Sequence, residues 1–375
     1  MLKRILAAVL AVCLVLLSFG CGKKADGDSG QPSRLSATRD GSRLAVVIGG
    51  EEQDPETYAA ATELAQTFDE TLMIVKYADD FYADYTAVQN IAETVAGDDN
   101  VSAIIFANGV KGTGKAVQAV REKRSDLCIV VCNPHEGSVE MKGADLVLSV
   151  DFAALGRQMV EKAKEMGAEN FVFYTTNRHL KYSSVVAMRS AAEDACKAQK
   201  MTFKAASCVD IFDDGRDPET AKRYIAEDAA RQKNKLGQKT ALFCTVPQVQ
   251  GAVAAEAVRN GMVMSESFLP SPLLLAQDLG VDLKDHANDS AWALRQLKSG
   301  KSGAAGHVAT WGFSVTNALL QTALAYASAV VSGGTKTYDV DAVQSILKEY
   351  TDGAAVTVTT DANGAYLVMS DSVTL

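Results

Sequence analysis

Short apolar runs alternate with longer amphipathic segments along most of the chain, and this alternation constrains the fold more than any other feature. The first runs occupy residues 44–48, 72–75, 101–106, 127–132 and 146–150. Helical patterns fill the gaps at about 55–69, 84–96 and 112–124. Apolar runs that are bounded by turns and separated by helices are typical of parallel strands covered on both faces. The sequence therefore predicts an α/β layer built on a parallel sheet.

A second series of the same kind follows the first. A helical pattern at 152–166 ends at Gly167, a favourable C-terminal stop. Strand-like runs then alternate with helical patterns, the runs lying at 171–174, 202–209, 241–244 and 262–269 and the helices at about 181–199, 217–233 and 248–260. Two β/α series of similar size predict two similar lobes, which we place at residues 44–151 and 152–303.

The C-terminal part of the chain is less regular. Residues 304–311 are expected to form an extended segment that crosses back to the first lobe, and 314–331 a helix. The segments 356–359 and 366–369 flank a turn that contains Asn363 and Gly364, which predicts a hairpin. We therefore assign 304–375 to a return crossing, a helix of the first lobe and a C-terminal hairpin.

The N-terminus carries a targeting pattern that ends at a cysteine. Lys3 and Arg4 precede an apolar run at 5–17, and Cys21 follows shortly after it. This layout predicts a signal peptide at 1–20 and lipidation of Cys21, with a flexible tether at 21–43. The run of about 13 residues is shorter than the roughly 20 that a membrane-spanning helix needs. Ordinary signal cleavage and an uncleaved anchor remain alternatives. A lipidated chain would sit on the extracytoplasmic face of the bacterial cell membrane, with the lipid as its only membrane contact.

Charge and cysteine usage exclude several function classes. Without residues 1–20 the chain carries 35 basic and 46 acidic residues, a net charge of −11. An acidic body argues against binding nucleic acid, which requires a basic surface. Five cysteines remain beyond Cys13 and Cys21, and none clusters with histidine as a metal site would require. We expect these cysteines to be small buried hydrophobic residues, and we expect no metal or cofactor.

The segment 109–115, Gly-Val-Lys-Gly-Thr-Gly-Lys, matches most of the phosphate-binding loop of nucleotide hydrolases. Ala116 stands where that loop has the serine or threonine that holds magnesium. We interpret the segment as a glycine-rich turn between a strand and a helix. Nucleotide hydrolysis and a simple anion contact at the helix N-terminus remain alternatives.

Polar side chains follow many of the predicted strands. In open α/β sheets, ligands bind beyond the carboxyl ends of the strands, so these residues are candidate ligand contacts. No catalytic signature is present, although His135 and Glu136 together could perform acid–base chemistry. Trp311 could stack on a ligand ring or pack in the core. The candidate ligand-binding residues are Asp80, Asn108, His135, Glu136, Arg178, His179 and Ser271.

Several stretches carry a resemblance to a known family: Asn-Pro-His-Glu at 133–136, residues 144–148, 188–196 and 240–245, the pair at 178–179, and Pro-Ser-Pro at 270–272. With its lipidated start, tether and two β/α lobes the chain resembles type I periplasmic binding proteins, the extracytoplasmic receptors of ABC importers. On these stretches it resembles, more narrowly, an uncharacterised group of bacterial lipoproteins with that fold. The resemblance implies an α/β fold with two Rossmann-like lobes, parallel sheets and a hinge between the lobes.

The resemblance also implies a function. The leading hypothesis is a solute-binding lipoprotein that captures a small polar solute between the lobes and presents it to an ABC permease. If Arg178 points into the cleft, the solute would carry a carboxylate or phosphate; a cleft dominated by Asp and Glu would favour sugars, nucleosides or cations. The alternatives are a co-receptor that reports to a membrane sensor, and a hydrolase that uses His135 and Glu136. No nucleic-acid partner is expected.

Overall fold

A seven-stranded sheet forms the centre of the first lobe. The computed structural model describes residues 42–68, 71–78, 81–82, 85–213 and 216–375. The strand order in this sheet is β10-β11-β5-β4-β3-β1-β2, and every neighbouring pair is parallel except β10 and β11. The strands are β1 Arg43–Ile48, β2 Leu72–Lys76, β3 Val101–Phe106, β4 Cys128–Cys132, β5 Leu146–Val150, β10 Val356–Thr360 and β11 Tyr366–Ser370.

Helices cover both faces of this sheet because successive side chains of a strand point to opposite sides. In β1, Leu44 and Val46 belong to one core cluster, whereas Ala45 and Val47 belong to another. The strands therefore appear in the sequence as continuous apolar runs. The helices of this lobe are α1 Pro55–Phe68, α2 Thr86–Ala96, α3 Thr113–Lys123, α10 Val315–Val331 and α11 Val340–Lys348.

The second lobe is built on a smaller parallel sheet with the order β7-β6-β8. A short antiparallel pair, β9 Ala309–Thr310 with β12 Val373–Thr374, lies among the crossing segments. The strands of the smaller sheet are β6 Asn170–Thr175, β7 Thr202–Ser207 and β8 Thr240–Cys244, and the helices around it are α4 Phe152–Glu165, α5 Ser183–Ala198, α6 Pro218–Leu236, α7 Gln250–Asn260, α8 Pro272–Ala276 and α9 Ser290–Lys298.

The two-lobed α/β architecture predicted from the sequence is confirmed, but the lobes differ in sheet size. The C-terminal hairpin adds two strands to the first sheet through the pairing of β11 with β5. The predicted strand at 262–269 is reduced to isolated bridges at Val263 and Met264. Beyond Met264 the carboxylate of Glu266 accepts hydrogen bonds from Ser267 N and Ser372 Oγ, so side chains replace the ladder there.

The cysteines are buried as expected from the sequence, and a side chain caps the first helix of the second lobe. Asp151 caps α4 by accepting a hydrogen bond from Ala154 N at 2.8 Å, where the chain passes from the first sheet to the second lobe. The five cysteines in the described part of the chain are buried thiols without a disulfide. None of the described helices is both long and apolar enough to cross a membrane. Residues 1–20, Cys21 and nearly all of the predicted tether lie outside the described residues.

Candidate functional site

A cavity of about 130 Å³ lies between the two lobes, at the carboxyl ends of the strands. Five aromatic side chains form much of its wall, namely Tyr77, Phe81, Tyr182, Phe212 and Phe268. The polar side chains in the wall are Gln53, Asp54, Asn108, His135, Arg178, His179 and Gln248. Four of the seven candidate ligand contacts, Asn108, His135, Arg178 and His179, therefore meet at one place.

Asn108 lies just beyond β3 and is held from two sides. Its Nδ2 donates to Asp54 Oδ2 at 2.5 Å, and the hydroxyl of Tyr77 donates to its backbone oxygen at 2.9 Å. Burial raises the pKa of Asp54 above its usual value, and the hydrogen bonds from Thr57 and Asn108 only partly oppose this. The first lobe thus presents a fixed amide and a hydrogen-bonded carboxyl group to the cavity.

His135 follows β4 and is neutral at pH 7. Its ring stacks on Tyr182 of the second lobe, with the ring centroids 4.5 Å apart and the planes 26° from parallel. Burial, and next the positive charge of Arg178, lower the pKa of His135 to about 4. Its Nδ1 is buried without a hydrogen-bond partner among the described residues. A neutral imidazole can donate from one nitrogen and accept at the other.

Arg178 lines the cavity, but its charge is already balanced by the protein. Its guanidinium makes two hydrogen bonds of 2.8 Å to the carboxylate of Asp210 and one of 2.7 Å to the hydroxyl of Tyr182, and it lies 4.7 Å from the ring centroid of Phe212. Burial opposes ionisation of Asp210, yet the hydrogen bonds and charge of Arg178 outweigh it and lower the pKa of Asp210. The guanidinium is therefore committed to Asp210 rather than left free for an anionic ligand.

The ring of His179 lines the cavity, and one of its ring nitrogens is hydrogen-bonded within the second lobe. Nδ1 lies 2.9 Å from Thr245 Oγ1, which in turn donates to Thr175 Oγ1 at 3.1 Å. Burial, followed by the charge of Arg178, lowers the pKa of His179 to about 3. The residue is neutral at pH 7, and its hydrogen bond orients the ring.

Glu136 and Ser271 lie outside the cavity wall. Glu136 Oε2 accepts a hydrogen bond of 3.1 Å from Gly114 N at the start of α3. The side chain of Glu136 thus occupies the helix N-terminus in the glycine-rich turn at 109–115, a position that favours acidic groups. Ser271 is fully buried, where it accepts from Leu273 N at 3.1 Å and donates to Glu56 Oε1 at 2.8 Å.

The remaining candidates fall in different places. Asp80 lies outside the described residues. Trp311 is fully buried, packs against Phe313 and donates to Gln158 Oε1 at 3.3 Å, so it belongs to the core. Among the described residues, no group of three or more His, Cys, Asp or Glu side chains is placed to hold a metal ion.

The two lobes contact each other around the cavity. Gln248 Nε2 donates to the backbone oxygen of Gln53 across the cleft at 2.6 Å. Tyr82 of the first lobe stacks on Phe212 of the second, with ring centroids 4.6 Å apart. A ligand in this cavity would therefore touch side chains of both lobes.

Sequence reasoning missed the aromatic wall. Tyr182, Phe212 and Phe268 were not among the candidates, because the search considered polar side chains directly after strands. Two of them could have been found from their spacing, since Tyr182 lies four residues after Arg178 and Phe212 two residues after Asp210.

Comparison with known proteins identifies the family. Residues 43–308 match the model of a family described as "Protein of unknown function (DUF3798)". The chain belongs to this family. Two uncharacterised proteins of Treponema pallidum (strain Nichols) are similar to it. One is 32% identical over 126 residues, which cover 33% of this chain and 57% of that protein. The other is 28% identical over 153 residues, covering 40% and 70%. The chain thus spans little more than half the length of the first relative.

Solved structures confirm the fold. A proposed transcriptional regulator from Clostridium difficile 630 is 18% identical, with a TM-score of 0.72 over 91% of this chain and 100% of that one. A substrate-binding protein of a sugar ABC transport system from Bordetella parapertussis 12822 is 10% identical, with a TM-score of 0.54 over 90% and 91%. A solute-binding protein from R. palustris, solved with 4-hydroxybenzoate, is 11% identical, with a TM-score of 0.50 over 88% and 91%. The DUF3798 chain therefore has the two-lobed fold of type I periplasmic binding proteins.

Proposed function

We propose that the protein is an extracytoplasmic solute-binding receptor that captures a small molecule in the cavity between its lobes. The observation that carries this proposal is the composition of the cavity wall, to which both lobes contribute aromatic and polar side chains. Ligand contact with both lobes favours the closed arrangement of a hinged protein, because a ligand shifts the equilibrium toward the state that it binds better. Lipidation at Cys21 would hold the receptor at the membrane, where an ABC permease or a membrane sensor would read the closed state.

Binding without turnover fits the cavity better than hydrolysis does. His135 faces the cavity, whereas Glu136 is engaged by the N-terminus of α3. Only one of the two side chains that could form an acid–base pair therefore faces the cavity. A neutral His135 can instead hydrogen-bond a bound molecule without reacting with it. The acidic body of the protein also argues against a nucleic-acid partner.

A thermal-shift screen of the full chain, purified in detergent, tests this proposal. The compounds are sugars, nucleosides, amino acids, short peptides and aromatic compounds. A ligand that binds only the folded state adds about 2.7 kcal/mol at a concentration 100 times its Kd, so a true ligand raises the melting temperature in a dose-dependent way.

Paired variants locate the binding. Gln248→Ala removes a side chain that lines the cavity and bridges the lobes, and we expect it to reduce the shift. Gln118→Ala alters an exposed residue of α3 away from the cavity and is expected to leave the shift unchanged. The proposal is wrong if no class of compound stabilises the chain, or if both variants respond as the wild type does.

A further inference from the structure

The volume of the cavity limits the ligand to a compact molecule. The space between the lobes is about 130 Å³. An engineered protein cavity of about 150 Å³ holds one benzene molecule, which gives the scale. A ligand of one six-membered ring with small substituents fits this space, whereas a disaccharide or a peptide does not.

The aromatic side chains of the wall favour a flat, aromatic molecule. Tyr182 and His135 form a stacked pair on one part of the wall. Phe212 also lines the cavity, where its ring stacks on Tyr82 and lies 4.7 Å from the guanidinium of Arg178. Aromatic rings prefer offset or edge-to-face contact with other rings, so these side chains suit an aromatic ring better than a puckered one.

The charges around the cavity favour an uncharged molecule. Arg178 is paired with Asp210 through two hydrogen bonds of 2.8 Å. The carboxylate of Asp54 accepts hydrogen bonds from Asn108 Nδ2 and Thr57 N. An anionic ligand would therefore find its nearest guanidinium already paired, and a cationic ligand would find only Asp54, whose buried position raises its pKa and disfavours its charged form. Either ion would lose its hydration for little gain, which is unfavourable.

Two amide oxygens in the wall remain available as acceptors. Asn108 donates through Nδ2 to Asp54, and Gln248 donates through Nε2 to Gln53 O. Neither amide oxygen has a hydrogen-bond partner in the described part of the chain, and both residues line the cavity. Both side chains are partly exposed and line the cavity, and an amide oxygen accepts hydrogen bonds, so these oxygens favour a ligand with N–H or O–H groups.

We propose that the ligand is an uncharged, planar, single-ring compound that carries N–H or O–H donors. This inference rests on the proposed solute-binding function and names the chemical class of the solute. The sequence predicted only a small polar solute, so this class is narrower. It excludes the ligands with a carboxylate or phosphate group that a free Arg178 would have favoured.

Matched probes test the charge and the planarity of the proposed ligand by calorimetric titration into the full chain in detergent. 4-Hydroxybenzamide carries the ring, the donors and no charge. 4-Hydroxybenzoate differs in carrying a negative charge, and trans-4-hydroxycyclohexanecarboxamide differs in having a saturated, puckered ring. We expect 4-hydroxybenzamide to bind at least 10-fold more tightly than either. Equal or tighter binding of the benzoate overturns the uncharged class, and equal binding of the saturated compound overturns the planar class.

Two variants test whether an aromatic side chain of the cavity wall causes the preference for a planar ligand. Phe212→Leu keeps an apolar side chain but removes the ring, and we expect it to reduce the preference for 4-hydroxybenzamide over the saturated compound to less than 3-fold. Phe203→Leu alters a ring of β7 that does not line the cavity, and it is expected to keep the full preference. A thermal unfolding curve for each variant confirms that it folds. An undiminished preference in Phe212→Leu contradicts stacking on this wall.

The failure of this inference is distinguishable from the failure of the proposed function. If 4-hydroxybenzamide does not bind but a sugar or an amino acid stabilises the chain in the screen, the ligand class is wrong and the receptor function stands. If no compound of any class binds, both are wrong.

Discussion

Glu56 gives the protein a stability that depends on pH near neutrality. The residue is buried at the start of α1, and its Oε1 accepts hydrogen bonds from the hydroxyls of Ser271 and Ser314. Its Oε2 has no hydrogen-bond partner among the described residues. Burial is the largest influence on this carboxyl group and raises its pKa from 4.5 to about 7. The folded protein therefore holds a proton here that the unfolded chain has already lost.

The size of the effect follows from these two pKa values. A shift from 4.5 to about 7 corresponds to about 3 kcal/mol, at about 1.36 kcal/mol for each pH unit. Because the pKa is raised in the folded state, this stability is fully present below pH 4.5 and is lost as the pH rises to 7. Between pH 5 and pH 8 the free energy of unfolding falls by about 2 to 3 kcal/mol through Glu56 alone.

Glu56→Gln tests this reasoning because glutamine resembles the protonated side chain and does not titrate. Urea unfolding at pH 5 and pH 8 gives the free energy of unfolding of each variant. The fall between the two pH values should be about 2 to 3 kcal/mol smaller in Glu56→Gln than in the wild type. Glu122→Gln, an exposed change on α3, should fall as the wild type does. Parallel pH profiles for Glu56→Gln and the wild type would refute the assignment of a raised pKa to Glu56.

Two further changes test the second lobe. Asp210→Asn leaves the guanidinium of Arg178 largely buried without its counter-charge, and we expect it to lower the free energy of unfolding by about 3 kcal/mol in urea titrations; an unchanged value would mean that the pair contributes little. Gly156→Ala would place a Cβ 2.4 Å from the backbone oxygen of Met188, where α4 and α5 pack closely, and should cost about 1–3 kcal/mol in the same assay. A variant at position 156 as stable as the wild type would contradict the close approach of these helices.

Much of the fold was predictable because its strands are buried on both faces. The runs at 44–48, 101–106 and 146–150 lie within a parallel sheet and therefore show continuous apolar sequence. The C-terminal hairpin was predictable from its turn, but its pairing with β5 was not, because local sequence does not record which sheet edge a hairpin will join. The segment after Met264 was predicted as a strand because its composition is apolar enough. The hydrogen bond from Ser372 to Glu266, which helps to replace the ladder, joins residues that are distant in the sequence.

The site was predictable only in part, for a related reason. The ends of parallel strands meet at one edge of a sheet, and that rule brought Asn108 and His135 to the cavity. It could not show what each side chain would bind. Glu136 is hydrogen-bonded to a helix N-terminus, Ser271 to Glu56 and Arg178 to Asp210. Each of these partners is distant in the sequence.

A crystal structure of the full chain with the compound that gives the largest thermal shift tests the central claim most directly. We expect electron density for that compound between the lobes, in contact with Tyr182 and Phe212 of the second lobe and with Asn108 of the first. Density for the compound at any other place, with the cavity between the lobes holding only water, would contradict it.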